Sequence, residues 1–204
     1  MRTLTSTTGI LLALLLAARP SAQEPQVPVP PADPAEGIQW PVPEGWGQES
    51  IPFPLSFAPQ LTYRGFEELR FAPGWSKPTE PGYWSYVIVW WLTEKPALDA
   101  ATLENALTTY FLVLSEAVGG DEDRFESSQF RAELVADGSA GLTGRIFSID
   151  AFTTGLPITL NVVIESRECV KAKRHAVTLL LSPRAKTEPI WRDLESAARA
   201  LVCE

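Results

Sequence analysis

At 204 residues and a formal charge of −8, the chain is long enough to bury a core of its own and too acidic to expect nucleic acid or an anionic membrane surface as a partner. One histidine and two cysteines leave little vocabulary for a zinc site or a histidine-dependent triad. No cofactor, no metal and no catalytic residue is therefore expected.

The chain opens with Arg2, an apolar run from Ile10 to Ala18, and small residues up to Ala22. These are the zones of a secretory signal peptide. The run is too short for a stable membrane anchor, and no cysteine follows the expected cut to take a lipid. Residues 1–22 are read as signal peptide and the protein as exported, either periplasmic or secreted. Residues 23–45 hold most of the prolines of a segment that runs on to Trp46: Pro25, Pro28, Pro30, Pro31, Pro34, Pro41 and Pro43. With no hydrophobic period, this stretch predicts a disordered tether. Residues 46–204 are expected to form a single domain.

Within that domain, Ile51, Phe53, Leu55 and Phe57 alternate with Pro52, Pro54, Ser56 and Ala58. Proline cannot donate to a ladder, so this strand belongs at an edge. A second strand, GFEELRFA at 65–72, follows. The stretch 83–93, YWSYVIVWWLT, is apolar at odd and even positions alike, which predicts an interior strand covered on both faces. Trp84, Trp90 and Trp191 are expected in the core, and Trp75, just after Pro73-Gly74, on a loop. Asp99 is placed to cap a helix in which Leu103, Ala106, Leu107, Tyr110, Phe111, Leu114 and Val118 recur at helical spacing until Gly119-Gly120. Four alternating segments then read as strands: 130–136, 146–151, 158–165 and 176–181. A final amphipathic helix is expected from Thr187 to Cys203. The order βββ-α-ββββ-α with short turns predicts an α+β fold: one antiparallel sheet of six to seven strands, with both helices packed on it.

Two resemblances accompany these patterns. The run IPFPLSFAPQLTYRGFEELRFAPGW, followed by WSYVIVWWL, resembles that of a family of uncharacterised exported bacterial proteins over about residues 46–120; this implies export and brings no activity with it. The element order is also similar to that of PsbP-like domains, by topology alone, and implies a binding or accessory module.

Chemistry is sparse. His175 sits between Arg174 and an apolar strand. Asp121, Glu122 and Asp123 lack the glycine and the distal acid of an EF-hand loop. Glu67 and Glu68 are adjacent, so on a strand they face opposite ways; either could pair with Asp150 in a carboxylate-based hydrolase, the alternative function. Arg167, Lys171, Lys173 and Arg174 make a basic turn. Cys169 and Cys203 are expected to form a disulfide, because a strand leading away from Cys169 and a helix returning to Cys203 have matching lengths. The preferred expectation is a non-enzymatic binding or accessory domain. Its surface would lie near Trp75, Glu67, Glu68 and Arg70, and its partner would be an unidentified small molecule, peptide or protein.

Overall fold

The computed structural model describes residues 38–119, 125–138 and 141–203. Seven strands form one sheet in the order β1-β2-β3-β7-β6-β5-β4: β1 Gly47–Phe53, β2 Gly65–Phe71, β3 Tyr86–Leu92, β4 Arg131–Ala136, β5 Leu142–Ile149, β6 Pro157–Cys169 and β7 Arg174–Ser182. Every neighbouring pair is antiparallel. Helices α1 Ala100–Gly119 and α2 Ile190–Arg199 complete the α+β fold. Among the described residues, no helix is long and apolar enough to cross a membrane.

All seven residues of β3 are buried, and the register shows why both sets must be apolar. Ile88 lies opposite Leu69 and Leu179, and Trp90 opposite Val177, on the face that α1 shares. Val87, Val89 and Trp91 turn the other way, with Ala176 and Leu180, toward α2. The strand is interior, although β7 holds the middle of the seven. It begins later than its apolar pattern implies, because Trp84 leaves the strand with φ 47°.

The two edges are finished differently. Asp99 caps α1 by accepting from Thr102 N at 2.9 Å. Further along the helix, Glu104 Oε1 and Thr108 Oγ1 accept from the backbone N–H groups of Leu134 and Ala132 on β4, at 2.7 and 3.0 Å. One sheet edge is thereby closed by helix side chains. At the other edge, β1 carries Pro52 and is largely exposed.

The α2 face is sealed by three devices. The helix itself buries Ile190, Trp191, Leu194 and Ala197 against β3 and β7. It is shorter than expected: it stops at Arg199, and the chain continues extended, with Val202 bridged to Gln39. Cys203 therefore reaches Cys169 from an extended tail rather than from a helix. The disulfide forms, with 4.7 Å between the Cα atoms. The third device corrects the expected tether 23–45, since its last residues pack on the domain. Trp40 is only 5% exposed and donates its indole N–H to Ala197 O at 2.8 Å. Its carbonyl accepts from Arg70 Nη2 at 2.8 Å, and its ring lies 4.2 Å beneath that guanidinium. A tryptophan next to prolines on a semi-rigid segment costs little to order and buries a large apolar area. Residues 1–22, expected as a signal peptide, and residues 23–37 lie outside the described residues.

Candidate functional site

The opposite face is only partly covered. Helix α1 packs on β4 and β5, so at the far side of the sheet the ends of β1, β2 and β3 have no helix above them. A cleft of about 660 Å³ remains there, within the range of small-molecule sites. Leu69, Phe71 and Tyr86 form its floor, Tyr110, Leu114 and Val118 of α1 one wall, and Glu49, Ser50 and Ile51 of β1 with Ser56 and Phe57 the other. Val118 and Phe152 remain 38% and 43% exposed at this site.

The end wall is built by the connection between β2 and β3. Backbone bonds fold it into successive turns: Trp75 N to Ala72 O, Lys77 N to Gly74 O, Glu80 N to Lys77 O and Ser85 N to Gly82 O. Gly82 passes so close to Pro73 that a Cβ there would lie 2.1 Å from the Pro73 carbonyl oxygen, so no larger residue fits without moving the loop. Trp84 donates its backbone N–H to Trp75 O at 3.0 Å, in a left-handed conformation that costs on the order of 1 kcal/mol for a non-glycine residue. The Trp75 ring is 4.9 Å from Phe71, 5.6 Å from Trp84 and 5.2 Å from Phe152. These are edge-to-face or tilted contacts of the kind that hold aromatic clusters together. The Trp75 indole nitrogen is enclosed without a hydrogen-bond partner.

Asp150 joins the two loops that carry these rings. It accepts from Thr153 N at 3.0 Å, Thr154 N at 2.8 Å and Thr154 Oγ1 at 2.8 Å, and from the Tyr83 hydroxyl. Burial pushes its carboxyl upward, but the hydrogen bonds from Tyr83 and Thr154 outweigh this and hold it below the usual range. Burial and the same bond push Tyr83 up to about 12. Asp150 is thus a brace between the 72–85 loop and the loop bearing Phe152.

Glu67 lies on the same face as the cleft floor, opposite Trp90 in the register. Its Oε2 accepts from Trp90 Nε1 at 2.8 Å and its Oε1 from the Tyr110 hydroxyl at 2.9 Å. Burial raises its pKa to about 7, against the lowering effect of those two bonds and with a further push from Glu49. Glu67 itself is fully buried, and it is Tyr110 that reaches the cleft.

The remaining expected site residues fall elsewhere. Glu68 and Arg70 do not join Trp75, because alternation turns them to the α2 face. There they form a buried ion pair at 3.3 Å, with Arg70 also donating to Leu69 O at 2.9 Å. The hydrolase pairing is not assembled. Glu67 belongs to the Trp90–Tyr110 network and Glu68 to Arg70, whereas Asp150 sits past the end of β5 in its own turn. Of the basic turn, Arg167 donates to Leu201 O at 2.9 Å and pins the C-terminal tail. Lys173 takes the left-handed turn position, φ 52°, and Arg174 pairs with Cys169 at the start of β7. Lys171 lies in the same turn. His175 lines a small cavity of about 180 Å³ with Arg167 and Glu168. Among the described residues, no cluster of His, Cys, Asp or Glu is arranged to hold a metal ion; Asp121, Glu122 and Asp123 lie outside them. Trp75 is the one expected surface residue that lines the cleft. Phe152 was missed, as an isolated aromatic in a turn, and Leu114 and Val118 carry the same helical period as core residues. Comparison with known proteins finds no matching family model, no matching curated protein and no matching solved structure.

Proposed function

We propose that this is an exported, non-enzymatic binding domain whose aromatic cleft takes a small ligand with an apolar body. The observation that carries the reading is the cleft of about 660 Å³ between α1 and β1, walled by Trp75, Trp84 and Phe152. The left-handed conformation of Trp84 is a cost that a packing-only wall has no reason to retain. The Cys169–Cys203 disulfide is compatible with export, since such bonds persist in oxidising compartments.

The test is a titration with N-phenylnaphthylamine, a neutral aromatic dye that brightens in apolar surroundings. Saturable binding is expected, weakened about tenfold or more by Trp75→Ala and by Leu114→Arg, which puts a charged side chain into the cleft. A loss of one buried aromatic contact is worth at least that factor. Absence of saturable binding, or binding indifferent to both substitutions in variants that melt cooperatively, overturns the reading.

A further inference from the structure

The charge in this cleft is one-sided. Its lining includes no lysine, arginine or histidine, and its single charged member is Glu49, beside Ser50 on β1. Among the described residues Glu49 makes no ion pair. A second carboxyl lies behind it: Glu49 is opposite Leu69 and Ile51 opposite Glu67, so Glu49 and Glu67 occupy diagonal positions on one face of adjacent strands, about 7 to 8 Å apart. Most of the remaining lining is apolar, and Phe71, Trp75, Trp84 and Phe152 are gathered in one cluster of rings. The cleft therefore offers an apolar end and an anionic rim, and a cation is what complements the rim.

We infer that the occupant is an amphiphilic cation, with its apolar body against Phe71, Trp75 and Phe152 and an amine or quaternary ammonium head beside Glu49. This rests on the binding reading above and adds the chemistry of the ligand. The pairing is with an exposed carboxylate, so its contribution is modest and screened by salt. The groups around Glu67 are Glu49 from β1, Tyr86 from β3 and Tyr110 from α1, with Tyr63 packed beside Trp90. All three tyrosines are raised above their ordinary value by burial and stay neutral near pH 7. Glu67 is thus the group that changes charge as pH passes through about 7, and the preference for a cation grows as it ionises.

The test uses decyltrimethylammonium, decanol and decanoate, below micellar concentrations and at low salt, displacing the dye from the intact disulfide-bonded chain. The cation is expected to displace it at about fivefold lower concentration than the alcohol, as one exposed ion pair supplies, with the carboxylate weakest. Glu49→Gln abolishes the difference between cation and alcohol at pH 5.5, where Glu67 holds its proton. Glu67→Gln keeps an acceptor for Trp90 and removes the growth of the preference with pH. Equal displacement by all three, stronger displacement by decanoate, or a cation preference that survives Glu49→Gln at pH 5.5 overturns this inference and leaves the binding reading standing. Failure of the dye and of all three probes to bind overturns both.

Discussion

The two faces of β3 carry equally large side chains and are finished in opposite ways. Toward α2, Val87, Val89 and Trp91 lie under a helix, a packed N-terminal segment and a disulfide-tied tail. Toward α1, Ile88 and Trp90 are sealed, but Tyr86 at the start of the strand opens into the cleft. A helix covers only part of a seven-stranded face. The α2 side meets that shortfall with extra chain, whereas the α1 side leaves it open and lines it with rings. The polar groups follow suit: Arg70 and Glu68 on the sealed side answer each other, while Glu67 and Glu49 on the open side share no cation among the described residues.

The largest effect expected is from Trp90→Ala, and it separates the faces. Both Trp90 and Trp91 are fully buried, so truncating either should cost about 3 to 5 kcal/mol. Trp90 also donates to the Glu67 carboxyl at 2.8 Å, whereas the Trp91 indole nitrogen has no partner. Removing Trp90 strands a buried carboxyl oxygen, so its loss should exceed that of Trp91 by roughly 1 kcal/mol or more in denaturant unfolding. Equal losses would mean that the Glu67 network adds nothing to the open face.

Next comes the staple of the sealed face. Replacing Cys169 and Cys203 together by alanine opens a loop with a sequence separation of 34, which should cost roughly 3 to 4 kcal/mol in the chain-entropy model. The dye affinity of the cleft should be unchanged, because the disulfide lies across the sheet from it. A variant that melts as before would show that α2 and Trp40 seal the face unaided.

How much of this was legible follows the same division. Where a residue's partner was a sheet neighbour or a helix turn, alternation and helical spacing found most elements: the two-faced β3, the α1 stripe and its Asp99 cap, and the seven strands. Strand β1, however, runs Gly47–Phe53 and leaves Leu55 and Phe57, expected within it, beyond its end. The disulfide was legible by length even though the helix stops early. What escaped depended on where α1 sits across the sheet, which no local period encodes. From sequence, Leu114 and Val118 cannot be told from Leu107 or Phe111, yet the first pair lines a cleft and the second a sealed core. Trp40 was hidden because a proline-rich composition describes the unbound segment and says nothing of one large ring finding a site. Asp150 looked like half of a catalytic pair and is a loop brace, a role set by Tyr83 arriving from another loop.

The open face also has a pH signature. Glu67, raised to about 7 by burial, binds its proton more tightly folded than unfolded. Its contribution is complete below the ordinary carboxyl range and is lost as pH rises through about 7, by up to roughly 3 kcal/mol. Asp150 is held low by its hydrogen bonds and acts in the other direction, losing its contribution only as pH falls below the ordinary carboxyl range. Melting should therefore be higher near pH 5.5 than near pH 8, and Glu67→Gln should flatten that slope while Asp150→Asn should not. A slope that persists in Glu67→Gln would place the buried proton elsewhere.

The smallest effect on folding should come from Phe152→Ala, and it is the sharpest probe of the difference between the faces. The ring contacts Trp75 and Trp84, at 5.2 and 5.7 Å, but remains 43% exposed at the cleft. The surface it would bury from water is therefore much smaller than that of Trp90. Its turn is held by Asp150 through Thr153 and Thr154 and through no atom of Phe152. Stability should fall by no more than about 2 kcal/mol, the scale of two partly exposed aromatic pairs. Binding should weaken severalfold, because a ligand lying along Trp75 loses the ring beside it. A phenylalanine that served only packing would give the reverse pattern, with melting lowered and dye affinity unchanged, and the cleft would then be an incompletely filled core rather than a site.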